Sequence, residues 1–382
     1  MNRFIIDLHA LHHNLQSIDA WMEKHEAKWT VVTKVLCGHP EVLRALQLMG
    51  VRSMGDSRLM NLEAVAEHAP GTEAWYLRPP HMSIVPDIVR LSGVSLNSEM
   101  EIIQAINDEA KKQGKRHRII IMIEMGDLRE GILPGGLTHF YKEVFDMSHV
   151  DVLGIGANVG CLAGAIPNVD QLMQLVLYRE LLELKFNHSL PLISAGSSAV
   201  LPLVLSGSVP KAVNHFRIGE SIFLGNDLIK GTPLDGLRTD AVLLEGEIVE
   251  VKEKSMVPLC ETSSSIMSFE APTPKEDYSP GQRGYRALVA LGQLDTDISG
   301  IRPVDERYRI VGASSDITVV NLGRNPKNLK VGDSIQFRPS YSALLRMMSS
   351  KYIAKEIHPS LAEFEENVRT TEDVKVVPVL EP

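Results

Sequence analysis

The strongest constraint in this sequence is an alternation. Eight short apolar runs are separated by loops or by stretches of helical periodicity: Thr30–Leu36, Val51–Gly55, Glu73–Arg78, Val94–Asn97, Arg118–Glu124, Val152–Asn158, Leu190–Ala195 and His215–Gly219. Runs of this length read as strands, and strands alternating with helices predict a parallel sheet. Eight such units predict closure into a (β/α)8 TIM barrel. The punctuation agrees. Pro40 stands in a first helical turn, where a missing N–H costs little, and Gly50 stands where that helix ends. Asp56 and Ser98 read as N-caps, the latter with Glu101 three residues on. The fifth run is nearly all Ile and Met, as a strand covered on both faces requires. A longer helix is expected from about Val169 to Phe186.

Two further regions flank this repeat. Phe4–Leu8 reads as a strand, followed by a helix from about Leu11 to His25. Beyond Leu234 the helical periodicity stops. Ala241–Val251, Tyr285–Gly292, Tyr308–Ala313, Ile317–Leu322 and Ser334–Arg338 read as strands divided by Gly, Pro and Asp turns. The expected organisation is a barrel over 9–233 and an all-β domain over 234–358, joined by the strand at 1–8. An acidic tail over 359–382 completes it. The net charge of -9, without a Lys/Arg patch, argues against a nucleic-acid binder. No apolar run has the length of a membrane span, and the first residues lack the apolar stretch of a signal peptide. Cys37, Cys161 and Cys260 form neither a metal spacing nor a disulfide framework, so a reducing, cytoplasmic setting is expected. Cys260 reads as a packing residue.

Barrels of this kind carry their chemistry at the C-terminal ends of the strands. There the sequence places Lys34, Cys37 and His39, then Asp56, Arg78 and Asn97. Glu124, Asp127, Arg129 and Glu130 follow the fifth run, and Asn158 and Cys161 the sixth. The last two give Gly196-Ser197-Ser198 and Arg217-Ile218-Gly219-Glu220-Ser221. A lysine at the end of a buried strand is costly unless its amine is used, and such an amine suits Schiff-base chemistry. Small residues after the last two strands let backbone amides approach an anion. Singly, Gly-Ser-Ser is a common turn and a strand-end arginine a common ion-pair partner. Their coincidence in barrel register is what points to pyridoxal phosphate.

These residues also carry a family resemblance. Ile6-Asp7-Leu8-His9-Ala10-Leu11, Val31-Val32-Thr33-Lys34, Ile121–Gly131, Arg217–Ser221, Gly292–Ser299 and Gly312–Asp316 are similar to segments of the alanine racemase family. These are fold-type III pyridoxal-phosphate enzymes, and the nearest likeness is to the branch acting on ornithine. The resemblance runs from about residue 4 to 357. It implies a homodimer with active sites shared between one subunit's barrel and the other's β-domain. It implies that Lys34 holds pyridoxal 5'-phosphate as an imine and acts as a base on the substrate Cα. By the same resemblance Arg217 meets the pyridine nitrogen, and Arg129 lies near the cofactor oxygen and the substrate carboxylate. Asn158 takes the place of a ring-contacting histidine. Ser197 or Ser198, the amides of Gly219 and Glu220, and Tyr341 hold the phosphate.

Three departures stand out. No tyrosine follows Lys34, Met122 replaces a lysine before the barrel arginine, and Gln293 stands where the family has a catalytic tyrosine. Glutamine cannot act as a general base. A substrate with a cationic side chain needs a carboxylate, and Asp295, Asp297 and Asp316 are the candidates. An ordinary Asp-rich turn accounts for Asp295 and Asp297 equally well. The expected activity is racemisation of ornithine or a related basic amino acid. The alternatives are another substrate such as alanine, lysine or serine, a fold-type III aldolase or decarboxylase, or cofactor binding without turnover. His9, His12 and His13 read as a helix surface rather than a metal pair. Cys37 and Cys161 raise a two-thiol racemase, which nothing in the sequence brings face to face.

Overall fold

The computed structural model describes residues 2–160, 162–261, 278–279 and 281–373. The chain divides into two compact units. One is His12–Arg238 with the segment from Leu361 onward, and the other joins the segment ending at Leu11 to Thr239–Ser360. A first strand, β1 (Arg3–Asp7), leads into the helix Leu8–His25. Eight parallel strands follow: β2 (Lys28–Val32), β3 (Ser53–Asp56), β4 (Glu73–Tyr76), β5 (Val94–Asn97), β6 (His117–Met122), β7 (Val150–Ala157), β8 (Leu192–Ala195) and β9 (His215–Ile218). They form a closed barrel, with Lys28–Val31 of β2 paired to His215–Ile218 of β9. The chain therefore has the (β/α)8 architecture expected from its alternation.

The details differ from expectation where local hydrogen bonding prevails. The first barrel strand ends at Val32, not Leu36. The Thr33 N–H donates to the Gly55 carbonyl at 2.9 Å, and the chain then winds into a 3₁₀ turn over Lys34–Leu36. Lys34 thus lies on a turn beyond the strand, not within it. Neither predicted N-cap forms. The helix Leu59–His68 starts after Arg58, and Met100–Lys112 starts after Glu99 with no side-chain cap. The helix Val169–Phe186 does have a capping box, from Asn168 and Gln171. Ile119, Ile120, Ile121 and Met122 are fully buried, as a doubly covered strand requires.

After two short strands, β10 (Asn226–Asp227) and β11 (Thr232–Pro233), the second unit is an antiparallel sheet. Its strands are β12 (Val242–Ser255), β13 (Arg283–Val289), β14 (Ile301–Pro303), β15 (Arg309–Ala313), β16 (Thr318–Gly323), β17 (Ser334–Pro339) and β18 (Ala354–His358). The order is β14-β17-β12-β13-β16-β15, and β1 pairs antiparallel with β12 and parallel with β18. Along β12, buried Val242, Leu244, Gly246 and Ile248 alternate with the less buried Leu243, Glu245 and Glu247, the period-two pattern of a sheet with one covered face. A helix over Tyr341–Ser349, absent from the sequence reading, follows β17. Its start is fixed by Ser340, whose hydroxyl accepts the Ala343 N–H. Residues expected as a tail open with the helix Leu361–Asp373, which belongs to the barrel unit. Its Phe364 is buried edge-on to His12, with ring centroids 5.8 Å apart. Cys260 is exposed rather than packed, and Cys161 lies outside the described residues. Among the described residues no helix is long and apolar enough to cross a membrane.

Two histidines are buried inside the barrel. Ser95 Oγ lies 2.9 Å from His117 Nε2. His215 sits between Ser194 Oγ, 2.9 Å from Nδ1, and Thr30 Oγ1, 3.1 Å from Nε2, with Trp75 stacked on it at 4.4 Å. Burial, reinforced by nearby cations, pushes His117 down to about 4 and His215 down to about 3. Both are therefore neutral in the folded protein over a range where the unfolded chain protonates them. The unfolded state then binds more protons below about pH 6.5, so stability falls as pH drops through that value, by roughly 2 kcal/mol per histidine at pH 5. We predict a urea midpoint lower at pH 5 than at pH 7, with a shallower pH dependence in His117→Gln. Equal dependence in variant and parent would refute the assignment.

Candidate active site

At the C-terminal end of the barrel, Lys34 is held by the turn it opens. That turn is braced by Asp56, which is fully buried at the end of β3. Asp56 accepts from Thr33 Oγ1 at 3.0 Å, Asn61 Nδ2 at 3.0 Å, and the amides of Ser57 at 2.7 Å and Arg58 at 3.0 Å. Burial raises its pKa, and these four donors act against that rise. Asp56 is thus a brace for the Lys34 turn rather than a helix cap. Lys34 is half-buried, and its charge acts on Glu220. Burial raises the Glu220 carboxyl, opposed by a hydrogen bond from Asn226 at 3.1 Å and by the Lys34 ammonium.

Arg217, on β9, is a buried cation with four acceptors around its two terminal nitrogens. Nη1 donates to the Ser194 carbonyl at 2.7 Å and to Ser194 Oγ at 2.6 Å. Nη2 donates to the Ala157 carbonyl at 2.8 Å and to Asn158 Oδ1 at 2.7 Å. The other end of the Asn158 side chain, Nδ2, donates to Glu130 Oε1, and Glu130 Oε2 pairs with Arg129 Nε at 2.8 Å. The structure therefore brings Arg129, Asn158 and Arg217 together, through Glu130, which the sequence places only at the barrel mouth. Two neighbouring acids serve the loops. Glu124 accepts the amides of Gly126, Leu128 and Arg129, and Asp127 accepts those of Leu162 and Ala163. The signal for this was an acid-rich run directly after a strand. Its partners were not visible, because loop amides leave no mark in a sequence.

The turns after β8 and β9 interlock. Gly196 has φ +143°, and a Cβ there would lie 2.7 Å from Val200 Cγ1. Ser197 Oγ accepts the Ala199 N–H at 3.2 Å. Ser198 Oγ accepts the Gly219 N–H at 3.3 Å and the Ser221 N–H at 3.2 Å. A hydroxyl that accepts two donors still has its own proton to give. A Cβ on Gly219 would lie 3.0 Å from Val32 Cβ, so β9's end lies tightly against β2 at this point. By contrast, a cavity of about 630 Å³ opens among Lys28, Ser53, Glu73, Arg118 and His215, residues at the opposite, N-terminal ends of the strands.

The remaining candidates lie in the β-rich unit. Asp295 folds back so that Oδ2 accepts the Gly292 N–H at 2.8 Å. Burial raises its carboxyl, the Gly292 amide opposes this, and the nearby charge of Asp316 raises it further. Asp297 instead accepts from Ser299 Oγ and Ser342 Oγ, and these bonds lower its carboxyl. Asp295 and Asp297 are therefore held by different partners. The charge of Asp316 is felt at Asp295, whereas Asp297 ties its turn to the helix that begins at Tyr341. Gln293 is exposed on the same turn, its N–H donating to the Ser314 carbonyl at 3.0 Å. Cys37 is exposed, with φ +51°. Among the described residues no group of three or more His, Cys, Asp or Glu could hold a metal.

Comparison with known proteins places this arrangement. Residues 6–227 match the family described as alanine racemase, N-terminal domain. The chain belongs to the alanine racemase family. An ornithine racemase from Acetoanaerobium sticklandii is 35% identical over 356 residues, 93% of this chain and 99% of that protein. A lysine racemase from Thermotoga maritima is 30% identical over 359 residues, 94% of this chain and 99% of that protein. Among solved structures, alanine racemase from Streptomyces coelicolor A3(2) matches with a TM-score of 0.70 at 16% identity, covering 94% of this chain and 98% of that one. D-threonine aldolase from Filomicrobium marinum matches with a TM-score of 0.67 at 14% identity, covering 91% and 88%. At such identities the structural likeness is one of fold.

The brace beneath Lys34 yields a prediction. Asp56→Ala leaves Thr33, Asn61 and two amides without their buried acceptor, at a cost of about 2–4 kcal/mol. The unfolding free energy should fall by that amount, and a loss below about 1 kcal/mol would mean that water replaces the carboxylate.

Proposed function

We propose that this protein is a pyridoxal-phosphate-dependent racemase that interconverts L- and D-ornithine. The observation that carries this reading is the match along nearly the whole chain to an ornithine racemase, together with a barrel mouth whose donors fit the cofactor. Lys34 supplies an amine for an aldehyde. Arg217, fixed by four acceptors, supplies a rigid donor for a ring nitrogen. The Ser198 hydroxyl, Ser197 and the Glu220 amide supply donors for a phosphate, and the family resemblance adds the Tyr341 phenol to that set. When bound, pyridoxal phosphate offers an electrophilic carbonyl to the substrate amine and a conjugated ring that stabilises the electron pair left when the Cα proton departs.

The chain's own residues then divide the tasks. Lys34 Nζ would hold the cofactor and, once the substrate amine takes its place, would remove or deliver the Cα proton on one face; inversion then requires a second proton donor or acceptor on the opposite face, a role Gln293 cannot fill. Arg217 keeps its proton at any working pH, so it donates to the ring nitrogen without protonating it. The ring is then a moderate rather than a strong electron acceptor. That restraint favours returning a proton to Cα over side reactions. Arg129 orients the substrate carboxylate as a bidentate fork.

Recognition of the cationic side chain falls to Asp295 and Asp316 in this reading. Two neighbouring carboxylates, one half-buried, repel each other, and an ammonium group between them relieves both the repulsion and the burial. Asp297, already accepting from two serines, acts as scaffold. The protein works as a homodimer, with the β-rich unit of one subunit completing the barrel mouth of its partner. The family resemblance of the Gly292–Ser299 and Gly312–Asp316 segments supports this arrangement.

Two measurements test the reading. The purified protein with pyridoxal phosphate should show a visible absorbance band, lost in Lys34→Ala, and chiral assay should show exchange of ornithine enantiomers ahead of lysine, alanine and serine. A protein without the band, or one that prefers alanine, refutes it. Asp295→Asn should raise KM for ornithine by roughly tenfold or more, as for a lost bond to a charged group, while leaving KM for an uncharged amino acid nearly unchanged. Equal effects on both substrates would return Asp295 to a purely structural role.

A further inference from the structure

We infer that Glu130 is a positioning residue, whose carboxylate bridges Arg129 and Asn158 and so sets the orientation of both groups and, through Asn158, the contact with Arg217. This rests on the cofactor reading above and adds to it a residue with no assigned role. The Glu130 side chain is only 6% exposed, whereas Arg129 is 32% exposed. A carboxylate so enclosed must have partners that justify its burial. It has two, one at each oxygen: Arg129 Nε at 2.8 Å and the Asn158 amide.

Backbone geometry places it there. Gly131 follows with φ +145°, and a Cβ at that position would lie 2.3 Å from the Glu124 nitrogen. Only glycine lets the loop fold back so closely on the end of β6, where Ile132 N–H donates to the Met122 carbonyl at 2.9 Å. The fold-back delivers Glu130 to Asn158 at the end of β7.

The chain of bonds also has a fixed polarity. Arg129 can only donate, and so can Arg217. An acceptor must face each of them. Glu130 is the acceptor for Arg129, and its second oxygen compels Asn158 to turn its NH2 toward Glu130. The Asn158 oxygen is then left facing Arg217 Nη2, at 2.7 Å. Were Asn158 flipped, its NH2 would face a guanidinium and its oxygen a carboxylate, and both contacts would be repulsive. Glu130 therefore selects the one amide orientation that lets Asn158 accept from Arg217. Its negative charge also lies between two cations that the reading places at opposite ends of the reacting system.

Glu130→Gln tests this with the full-length protein loaded with pyridoxal phosphate. A carboxamide has one acceptor oxygen, so it can serve Arg129 or Asn158 but not both. With Arg129 released, KM for ornithine should rise roughly tenfold or more, and kcat should fall less. Loss of the negative charge should also move the pH midpoint of the bound cofactor's visible band downward, because a nearby anion favours the protonated chromophore. Glu130→Asp keeps the charge but is one methylene too short to span both donors. It should leave the band midpoint in place and still raise KM severalfold. Glu67→Gln, on an exposed helix position, controls for charge removal elsewhere.

If Glu130→Gln is folded and matches the parent in both KM and band midpoint, the inference is overturned. If Glu130→Gln does not fold, Glu130→Asp decides, and a parental KM there overturns it. A parent protein that takes up no cofactor refutes the earlier reading and this one with it. A parent that binds and turns over, with variants unchanged, refutes this one alone.

Discussion

The cation of Arg217, buried inside the barrel, governs the chemistry around it. A guanidinium taken out of water must be met by acceptors on every side that protein reaches. Ser194, Ala157 and Asn158 provide them, from three different positions on neighbouring strands. The consequence spreads inward. Ser194 Oγ lies between Arg217 and His215, and the positive charge of Arg217 helps keep His215 neutral. A neutral His215 can accept from one hydroxyl and donate to another, which extends the network to Thr30 and Ser53 across the seam between β2 and β9. The strand pair that closes the barrel is thus also the pair that presents Arg217. Closure and site geometry depend on the same bonds.

The fold was legible because it rests on short-range pattern. Alternating apolar runs and helical segments are local signals, and eight of them permit few architectures. Strand ends were less legible. Val35 and Leu36 are apolar and buried, so hydropathy alone extended the first strand through Lys34. A bond from Thr33 to Gly55, a neighbour on the next strand, ended it sooner. The helix at Tyr341–Ser349 was missed because its start is set by one serine and its packing by residues far along the chain. Phe364 gave no periodic signal within its own acidic segment, since the partner of its ring is His12. Site residues divide in the same way. Lys34 and Arg217 could be placed at the barrel mouth because strand ends in a barrel converge. Glu130 could not be given a role, because both its partners act from positions that only the folded loop makes adjacent.

Acidic residues show how local bonding separates scaffold from function. This chain carries 48 of them, enough that proximity to the site means little by itself. What discriminates is how each carboxylate is satisfied. Asp56, Glu124 and Asp127 each accept two or more backbone amides, the pattern of a side chain that fixes a loop. Asp297 accepts two serine hydroxyls and titrates lower for it. Asp295 behaves differently: burial and the neighbouring Asp316 both oppose its charge, and one amide supports it. Asp295 is thus a half-buried carboxylate whose surroundings, apart from the Gly292 amide, disfavour its charge. Perturbed carboxylates occur both at functional positions and in structural ion-pair networks, so what separates Asp295 from Asp297 is the partner set each one has rather than the shift itself.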